Sequence, residues 1–118
     1  MKKLLTFAAL SEAATGVALM AGPLLVGRLL LGVELTEVSI LIARVAGIGL
    51  FSLGLACWPR KDTTYVPQHF AILTYNLLVT LYLLYVCIRG EWVGPLLWPA
   101  VVLHAVLALL LARAWFHR

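Results

Sequence analysis

Residues 38–58 read VSILIARVAGIGLFSLGLACW, an apolar stretch whose single charged side chain is that of Arg44. Its length matches the roughly 20 residues that a helix needs to cross a bilayer. Three further apolar stretches of at least this length occupy residues 4–31, 66–88 and 92–116. The sequence therefore predicts an all-α membrane protein in which four transmembrane helices form one integral membrane domain over residues 1–118.

The composition of the whole chain indicates the same class. Hydrophobic residues make up 64% of the 118 residues and charged residues 12%, and the mean hydropathy is +1.03. These values exclude a disordered chain and a disulfide-rich secreted scaffold. The net charge of +4 is small and dispersed along the chain. We therefore expect a lipid bilayer as the surroundings and no nucleic-acid partner.

The connectors between the apolar stretches are short and occupy residues 32–37, 59–65 and 89–91. Short connectors place consecutive helices side by side and in opposite directions, so the expected architecture is an antiparallel four-helix bundle. In the second connector, Pro59 ends one helix and either Thr63 or Thr64 caps the next. Pro67 is expected in the first turn of that next helix.

The first apolar stretch allows more than one interpretation. A lysine pair before an apolar run is typical of a signal peptide, but Glu12 interrupts the run and apolar sequence continues to residue 31. We therefore expect a membrane helix. Gly22 and Pro23 either bend this helix, or end it and start a short interfacial helix over residues 24–31.

Lysine and arginine are distributed unequally between the two sides of the expected bundle, and cytoplasmic loops carry the excess of these residues. One side has Lys2, Lys3, Arg60, Lys61, Arg113 and Arg118, whereas the other has Arg28 and Arg89 together with Glu34, Glu37 and Glu91. Interfacial tryptophans are expected on both sides, Trp58 and Trp115 on the first and Trp92 and Trp98 on the second. Both termini are therefore predicted to be cytoplasmic.

Four polar side chains inside the apolar stretches are the candidate ligand- or proton-binding residues: Glu12, Arg44, Asn76 and His104. A charged side chain near the bilayer centre costs at least about 2.5 kcal/mol, so Glu12 and Arg44 need a structural or functional reason. Helical spacing places small residues beside each, such as Gly16 beside Glu12 and Gly47 beside Arg44. We therefore expect all four side chains to point into the interior, where the small-residue faces of the helices meet.

Two interpretations of this expected cluster stay open. The side chains either bind a proton or a ligand, or they join the helices as buried polar contacts while Arg44 extends partly toward Glu37 and the outer surface. Counting along the helices places Glu12 and Asn76 nearer the inner side and Arg44 and His104 nearer the outer side. A direct Glu12–Arg44 ion pair is therefore not expected, and a water, Asn76 or His104 is expected between them.

The remaining residues predict no catalytic group, metal site or cofactor. Cys57 and Cys87 are expected at opposite ends of their helices, where they cannot pair within one chain and serve as small apolar residues. A haem would need two axial ligands at similar depth, which His69 and His104 do not provide. The stripe of Tyr75, Tyr82 and Tyr85 is interpreted as a packing or interfacial feature, with a quinone or aromatic-ligand pocket as the alternative.

Several short segments resemble the DoxX-like group of small bacterial four-helix membrane proteins. They are Pro23-Leu24-Leu25, Arg44-Val45-Ala46-Gly47, Gly54-Leu55-Ala56-Cys57-Trp58, Tyr75-Asn76 and Leu97-Trp98-Pro99. The resemblance covers most of the chain and includes the number of helices and the loop lengths. Some members of that group are subunits of membrane oxidoreductases or assembly factors. The resemblance therefore implies an accessory role in the bacterial cytoplasmic membrane.

The chain is also similar to the small multidrug resistance exporters in its length, its four helices and the spacing of Glu12 and Gly16. In that family the glutamate exchanges protons for cationic drugs. Arg44 is unexpected in a cation pathway, and the Gly22-Pro23 break is a further departure. We therefore expect a non-enzymatic accessory subunit with a membrane-protein partner or a second copy, or a binder of a lipophilic small molecule within the bundle. The alternative is a proton-coupled exporter that uses Glu12.

Overall fold

The computed structural model describes residues 2–59 and 66–117, and this part of the chain is helical without strands. Its five helices are α1 (Lys2–Ala21), α2 (Pro23–Leu31), α3 (Glu37–Ala56), α4 (Val66–Arg89) and α5 (Leu97–Phe116). Four of them, α1, α3, α4 and α5, are long and apolar enough to cross a membrane. The predicted multi-pass membrane class is confirmed to this extent.

The first apolar stretch is two helices and not one helix over residues 4–31. Of the two expected alternatives, the one in which Gly22 and Pro23 end the first helix and a short second helix follows is confirmed. Gly22 separates α1 from α2, and its N–H closes α1 by donating to the Ala18 carbonyl at 2.8 Å. Pro23 occupies the first turn of α2, where its missing N–H costs no helical hydrogen bond. Gly32 ends α2 with φ 72°, a left-handed conformation that glycine adopts without strain.

The last helix begins at Leu97, so the predicted start at residue 92 is also wrong. Pro95 disfavours a helical conformation at the preceding residue, Gly94. The connector instead pairs with the end of α2, because the Gly94 and Leu96 N–H groups donate to the Leu30 and Leu29 carbonyls at 2.9 and 2.7 Å. This pairing holds α2 against the start of α5.

The starts of α3 and α4 show ordinary helix-capping and first-turn chemistry. The Thr36 hydroxyl caps α3 by accepting from the Ser39 N–H at 3.2 Å. Pro67 lies in the first turn of α4, as predicted. The predicted caps Thr63 and Thr64 lie outside the described residues.

The helices pack mainly as two pairs, α1 with α3 and α4 with α5, and α1 also touches α4 and α5. Glycines allow α1 and α3 to approach closely, because a Cβ added at Gly16 would lie 2.5 Å from the Gly47 carbonyl oxygen. Gly54 lies in the same way against Ala9 and Ala13 of α1. The predicted meeting of small-residue faces is therefore confirmed for this pair.

Two hydrophobic clusters form the interior. The larger contains Leu5, Ala8, Ala9, Cys57, Ile72, Leu107 and Leu111, and the smaller contains Cys87, Leu97 and Val101. Both cysteines are buried free thiols in separate clusters, in agreement with their interpretation as small apolar residues. Many large apolar side chains of α3, α4 and α5 are exposed, as expected of surfaces that face lipid.

Candidate functional site

Asn76 and His104 form a direct hydrogen-bonded pair between α4 and α5. The Asn76 side chain is fully buried, and its Oδ1 lies 2.8 Å from Nδ1 of His104. The Asn76 Nδ2 donates back to the Ile72 carbonyl at 2.8 Å. The expected separation of Asn76 and His104 by depth is therefore wrong. Because α4 has 24 residues and α5 has 20, counts from their ends do not share an origin.

Glu12 is buried close to this pair. Its side chain is 1% exposed, and among the described residues neither carboxyl oxygen accepts a hydrogen bond of ordinary geometry. The Tyr75 hydroxyl interacts with the Glu12 carboxyl electrostatically. The Tyr75 ring lies edge-on to His104 with 6.0 Å between the ring centroids. Glu12, Tyr75, Asn76 and His104 thus form one contiguous group, which we call the polar cluster.

A cavity of about 450 Å³ adjoins the polar cluster, and all five helices contribute to its lining. Most lining residues are apolar; the polar exceptions are Thr15, Tyr75 and His104. Along α4 the lining runs from Tyr75 through Val79 to Leu83 on successive turns. The polar lining is therefore gathered at one end of the cavity, near the middle of the helices, and the rest is hydrocarbon.

Arg44 does not belong to the polar cluster, so its expected interior position is wrong. Its side chain is exposed on α3, and within residues 2–59 and 66–117 it has no hydrogen bond or ion pair, including none with Glu37. At 100° per residue, Arg44 lies about 60° around α3 from Gly47. That offset moves it from the face that touches α1 to the flank of the helix.

His69 joins α4 to α5 at a second level. Its Nε2 lies 2.6 Å from the Leu111 carbonyl oxygen, and its ring lies edge-on to Trp115 with 5.3 Å between centroids. The side chain is 1% exposed. His69 and His104 are therefore each held by a protein partner, and they lie at different levels of the α4–α5 pair.

Tyr75 is the residue of the polar cluster that the sequence interpretation missed. Tyr82 and Tyr85, with which it was grouped, are 67% and 52% exposed, and their rings stack on each other at 6.2 Å. Tyr75 lies one helical turn after Ile72, which is fully buried, so it falls at the edge of the buried face of α4. Tyr82, seven residues later, lies within about 20° of the same face, so Tyr75 differs from it in its level on α4, beside Asn76 and His104.

Among the described residues, no three His, Cys, Asp or Glu side chains gather in a way that could hold a metal ion. No protein-family model, curated protein or solved structure matches the chain. The DoxX-like resemblance and the similarity to small multidrug exporters therefore stay predictions, and the functional argument depends on the geometry of the site.

Proposed function

We propose that the protein is a non-enzymatic, multi-pass protein of the bacterial cytoplasmic membrane that binds a lipophilic small molecule in the cavity beside the polar cluster. The observation that carries this proposal is the distribution of polarity in the cavity. Its volume of about 450 Å³ lies within the usual range for small-molecule sites, and such sites are mostly apolar with a few placed polar groups. Thr15, Tyr75 and His104 supply those groups here.

The ligand class follows from these two parts of the cavity. Side chains such as Leu19, Val79 and Leu83 favour a hydrocarbon body. The polar end favours a head group that replaces the hydrogen bonds lost on leaving water. An amphiphile with a body of about ten carbons and one small head group satisfies both parts.

Binding in the cavity is tested with four amphiphiles: 1-undecanol, decyl methyl ether, 2-undecanone and decyltrimethylammonium. At equal mole fraction in nanodiscs, at least one should raise the melting temperature of the protein, because a ligand that binds the folded state stabilises it. Val79→Trp, which fills the cavity, should abolish the shift. Val102→Trp is the matched control, since Val102 is 58% exposed on α5. Equal shifts in both variants would show that the amphiphiles act through the membrane and not through the cavity.

The exporter alternative predicts a different ranking in the same experiment. A cation exchanger in which Glu12 contacts its substrate should favour decyltrimethylammonium, and Glu12→Gln should abolish that preference. Glu12 is buried and is not part of the cavity lining. This arrangement supports the ligand-binding proposal over the exporter.

For the topology, we propose an antiparallel bundle with both termini in the cytoplasm. Support comes from the end of the bundle proposed as external, where Arg28 pairs with Glu34 and Arg89 with Glu91. The hydrogen bond and the charge of Arg28 hold the pKa of Glu34 below its ordinary value, so both members of that pair are charged at neutral pH. That end carries two Lys or Arg residues against the six of the other end, and the positive-inside rule counts these residues rather than net charge.

The topology predicts which loops react with a membrane-impermeant thiol reagent in sealed cells. Cysteine at Glu34 or Glu91 should be labelled without lysis, whereas cysteine at Asp62 should be labelled only after the inner face is opened. Cys57 and Cys87 are buried, so the parent protein provides the background. Labelling of Asp62→Cys in intact cells, with protection of the other two, would contradict the proposed orientation.

A second candidate function, an accessory subunit, is favoured by the outer face of α3. Leu41, Val45 and Ile48 on this face are 65%, 69% and 55% exposed, and Arg44 is exposed beside them without a partner in the described chain. Arg44 lies about 10 Å along the helix from Glu37. A partner helix with a carboxylate at that depth would pair the guanidinium and lower its cost in the membrane. A second copy fits poorly, because, of the acidic residues inside the described membrane spans, Glu12 is buried and Glu37 lies about 10 Å along α3 from the depth of Arg44.

Photo-crosslinking from residue 41 tests this candidate. A photoreactive residue at Leu41 should crosslink to a membrane helix of another protein that has an Asp or Glu at the depth of Arg44. Arg44→Leu should lower the yield at least about tenfold, because it leaves the partner's carboxylate buried and unpaired. Arg113→Leu, which removes an exposed arginine from the last turn of α5, should have no effect. Crosslinks only to lipid or to a second copy would rule out the accessory role of this face.

A further inference from the structure

The orientation of the Asn76 amide is determined by its backbone neighbour. The Ile72 carbonyl oxygen, 2.8 Å away, can only accept a hydrogen bond, so the Asn76 atom that faces it must be Nδ2. The other atom of the amide, Oδ1, therefore faces His104. The assignment follows from the chemistry of the backbone group, which removes the usual ambiguity between the two atoms of an amide.

This orientation in turn selects the protonation of the His104 ring. Asn76 Oδ1 can only accept, so the Nδ1 of His104, 2.8 Å from it, must carry a hydrogen and donate. An ionised ring inside a membrane helix is costly, and no ion pair to His104 exists in the described part of the chain. The ring is therefore neutral, and a neutral imidazole protonated at Nδ1 has an unprotonated Nε2.

Nε2 of His104 is then an unoccupied hydrogen-bond acceptor. Within the described residues it has no hydrogen-bond partner. His104 lines the cavity, whereas Asn76, which holds the other ring nitrogen, is fully buried and does not line it. Nε2 is therefore the ring nitrogen left to interact with a molecule in the cavity.

We infer that the cavity selects ligands whose head group donates a hydrogen bond, an alcohol or phenol on an apolar body, and that His104 Nε2 accepts this bond. The inference rests on the proposed ligand-binding function and adds the class of head group. A ketone, ether or quinone presents acceptors only, so its oxygen would face the lone pair of Nε2. The two hydroxyls that also line the cavity are already engaged, Thr15 with the Ser11 carbonyl and Tyr75 with the Glu12 carboxyl. Sites with a buried acceptor discriminate strongly against ligands that lack the matching donor.

The head-group preference is measured with three of the amphiphiles used above, 1-undecanol, decyl methyl ether and 2-undecanone, which have equal numbers of non-hydrogen atoms. In the parent protein the alcohol should bind about tenfold more tightly than the ether or the ketone, at equal mole fraction in nanodiscs. His104→Phe keeps an aromatic ring but removes the acceptor. In this variant all three compounds should still bind, and the alcohol should bind about as tightly as the ether and the ketone.

The tautomer is measured directly by nitrogen-15 NMR of protein labelled at histidine, with the His104 signal assigned by its loss in His104→Phe. The expected spectrum shows Nδ1 protonated and Nε2 unprotonated. Asn76 acts as a positioning residue, so Asn76→Leu should shift His104 toward a mixture of tautomers and weaken the alcohol preference. The tautomer itself is read from the parent spectrum, and His104→Phe is needed only to assign the signal.

The possible failures separate the inference from the proposed function. If the ether and the ketone bind the parent as tightly as the alcohol, and Val79→Trp abolishes all three, the cavity is a ligand site and the head-group inference is wrong. A protonated Nε2 in the parent spectrum would also overturn the inference. If none of the compounds binds more tightly to the parent than to Val79→Trp, the proposed function fails, and the inference fails with it.

Discussion

Gly47→Ala is expected to lower the free energy of unfolding by about 2 kcal/mol, because over-packing a close contact typically costs 1–3 kcal/mol. A Cβ at Gly47 would lie 2.6 Å from the Gly16 carbonyl oxygen and 2.9 Å from Cβ of Leu19. The first of these is a backbone atom, which cannot rotate away as a flexible side chain can. The α1 and α3 helices must therefore separate along their whole contact, and this contact is the largest between any two helices of the described chain.

Gly49→Ala, two residues along the same helix, is the matched control. A Cβ there meets nothing within 4 Å, so the substitution should be neutral or raise stability by up to about 1 kcal/mol through helix propensity alone. Gly16→Ala should be as damaging as Gly47→Ala, since its Cβ would lie 2.5 Å from the Gly47 oxygen. Reversible unfolding in mixed micelles measures all three. Equal stabilities for Gly47→Ala and Gly49→Ala would show that the close approach of α1 and α3 does not hold the fold together.

The glycine contact also shows how far the sequence predicts this structure. Gly16, Gly47 and Gly54 could be placed on packing faces because small residues at helical spacing have few other roles in a membrane helix. Arg44 was placed on the same face, but an offset of about 60° is enough to move a side chain from a helix contact to an exposed flank. Periodicity thus identifies the packing face of a helix to within about one residue. An error of that size is enough to decide whether a charged side chain is buried or exposed.

The polar cluster was predicted in part for a similar reason. Glu12, Asn76 and His104 are rare polar residues in apolar stretches, so sequence alone singles them out. The level at which they meet depends on where α4 and α5 begin relative to each other, and the segment before α5 pairs with the end of α2 through the Gly94 and Leu96 N–H groups. No local sequence pattern encodes this long-range contact. The cavity, to which all five helices contribute, was beyond prediction for the same reason.

Glu12→Met is expected to raise the free energy of unfolding by about 1–3 kcal/mol. The Glu12 side chain is 1% exposed, and within the described residues neither of its oxygens has a hydrogen bond of ordinary geometry. Burial of an unsatisfied polar group costs about this much. Methionine is unbranched like glutamate and fills irregular space in a core, so it removes that cost and leaves a similar volume occupied. Glu12→Gln keeps a buried polar group and should gain much less.

Glu37→Met is the control for this experiment, because Glu37 is an exposed acid in the first turn of α3. Its replacement should lower stability by no more than about 1 kcal/mol, through loss of its interaction with the helix dipole. The Tyr75 hydroxyl, which interacts with the Glu12 carboxyl, allows a double-mutant cycle with Tyr75→Phe. A coupling energy near zero would mean that the Tyr75 hydroxyl does not compensate the burial of the Glu12 carboxyl. A large coupling energy would mean that the hydroxyl offsets part of the cost of that burial.

If Glu12→Met is less stable than the parent, the carboxyl must have partners that outweigh its burial, such as bound waters. In the opposite and expected case, Glu12 lowers the stability of the fold, and an ionisable residue buried in a membrane helix at that cost is a candidate functional residue.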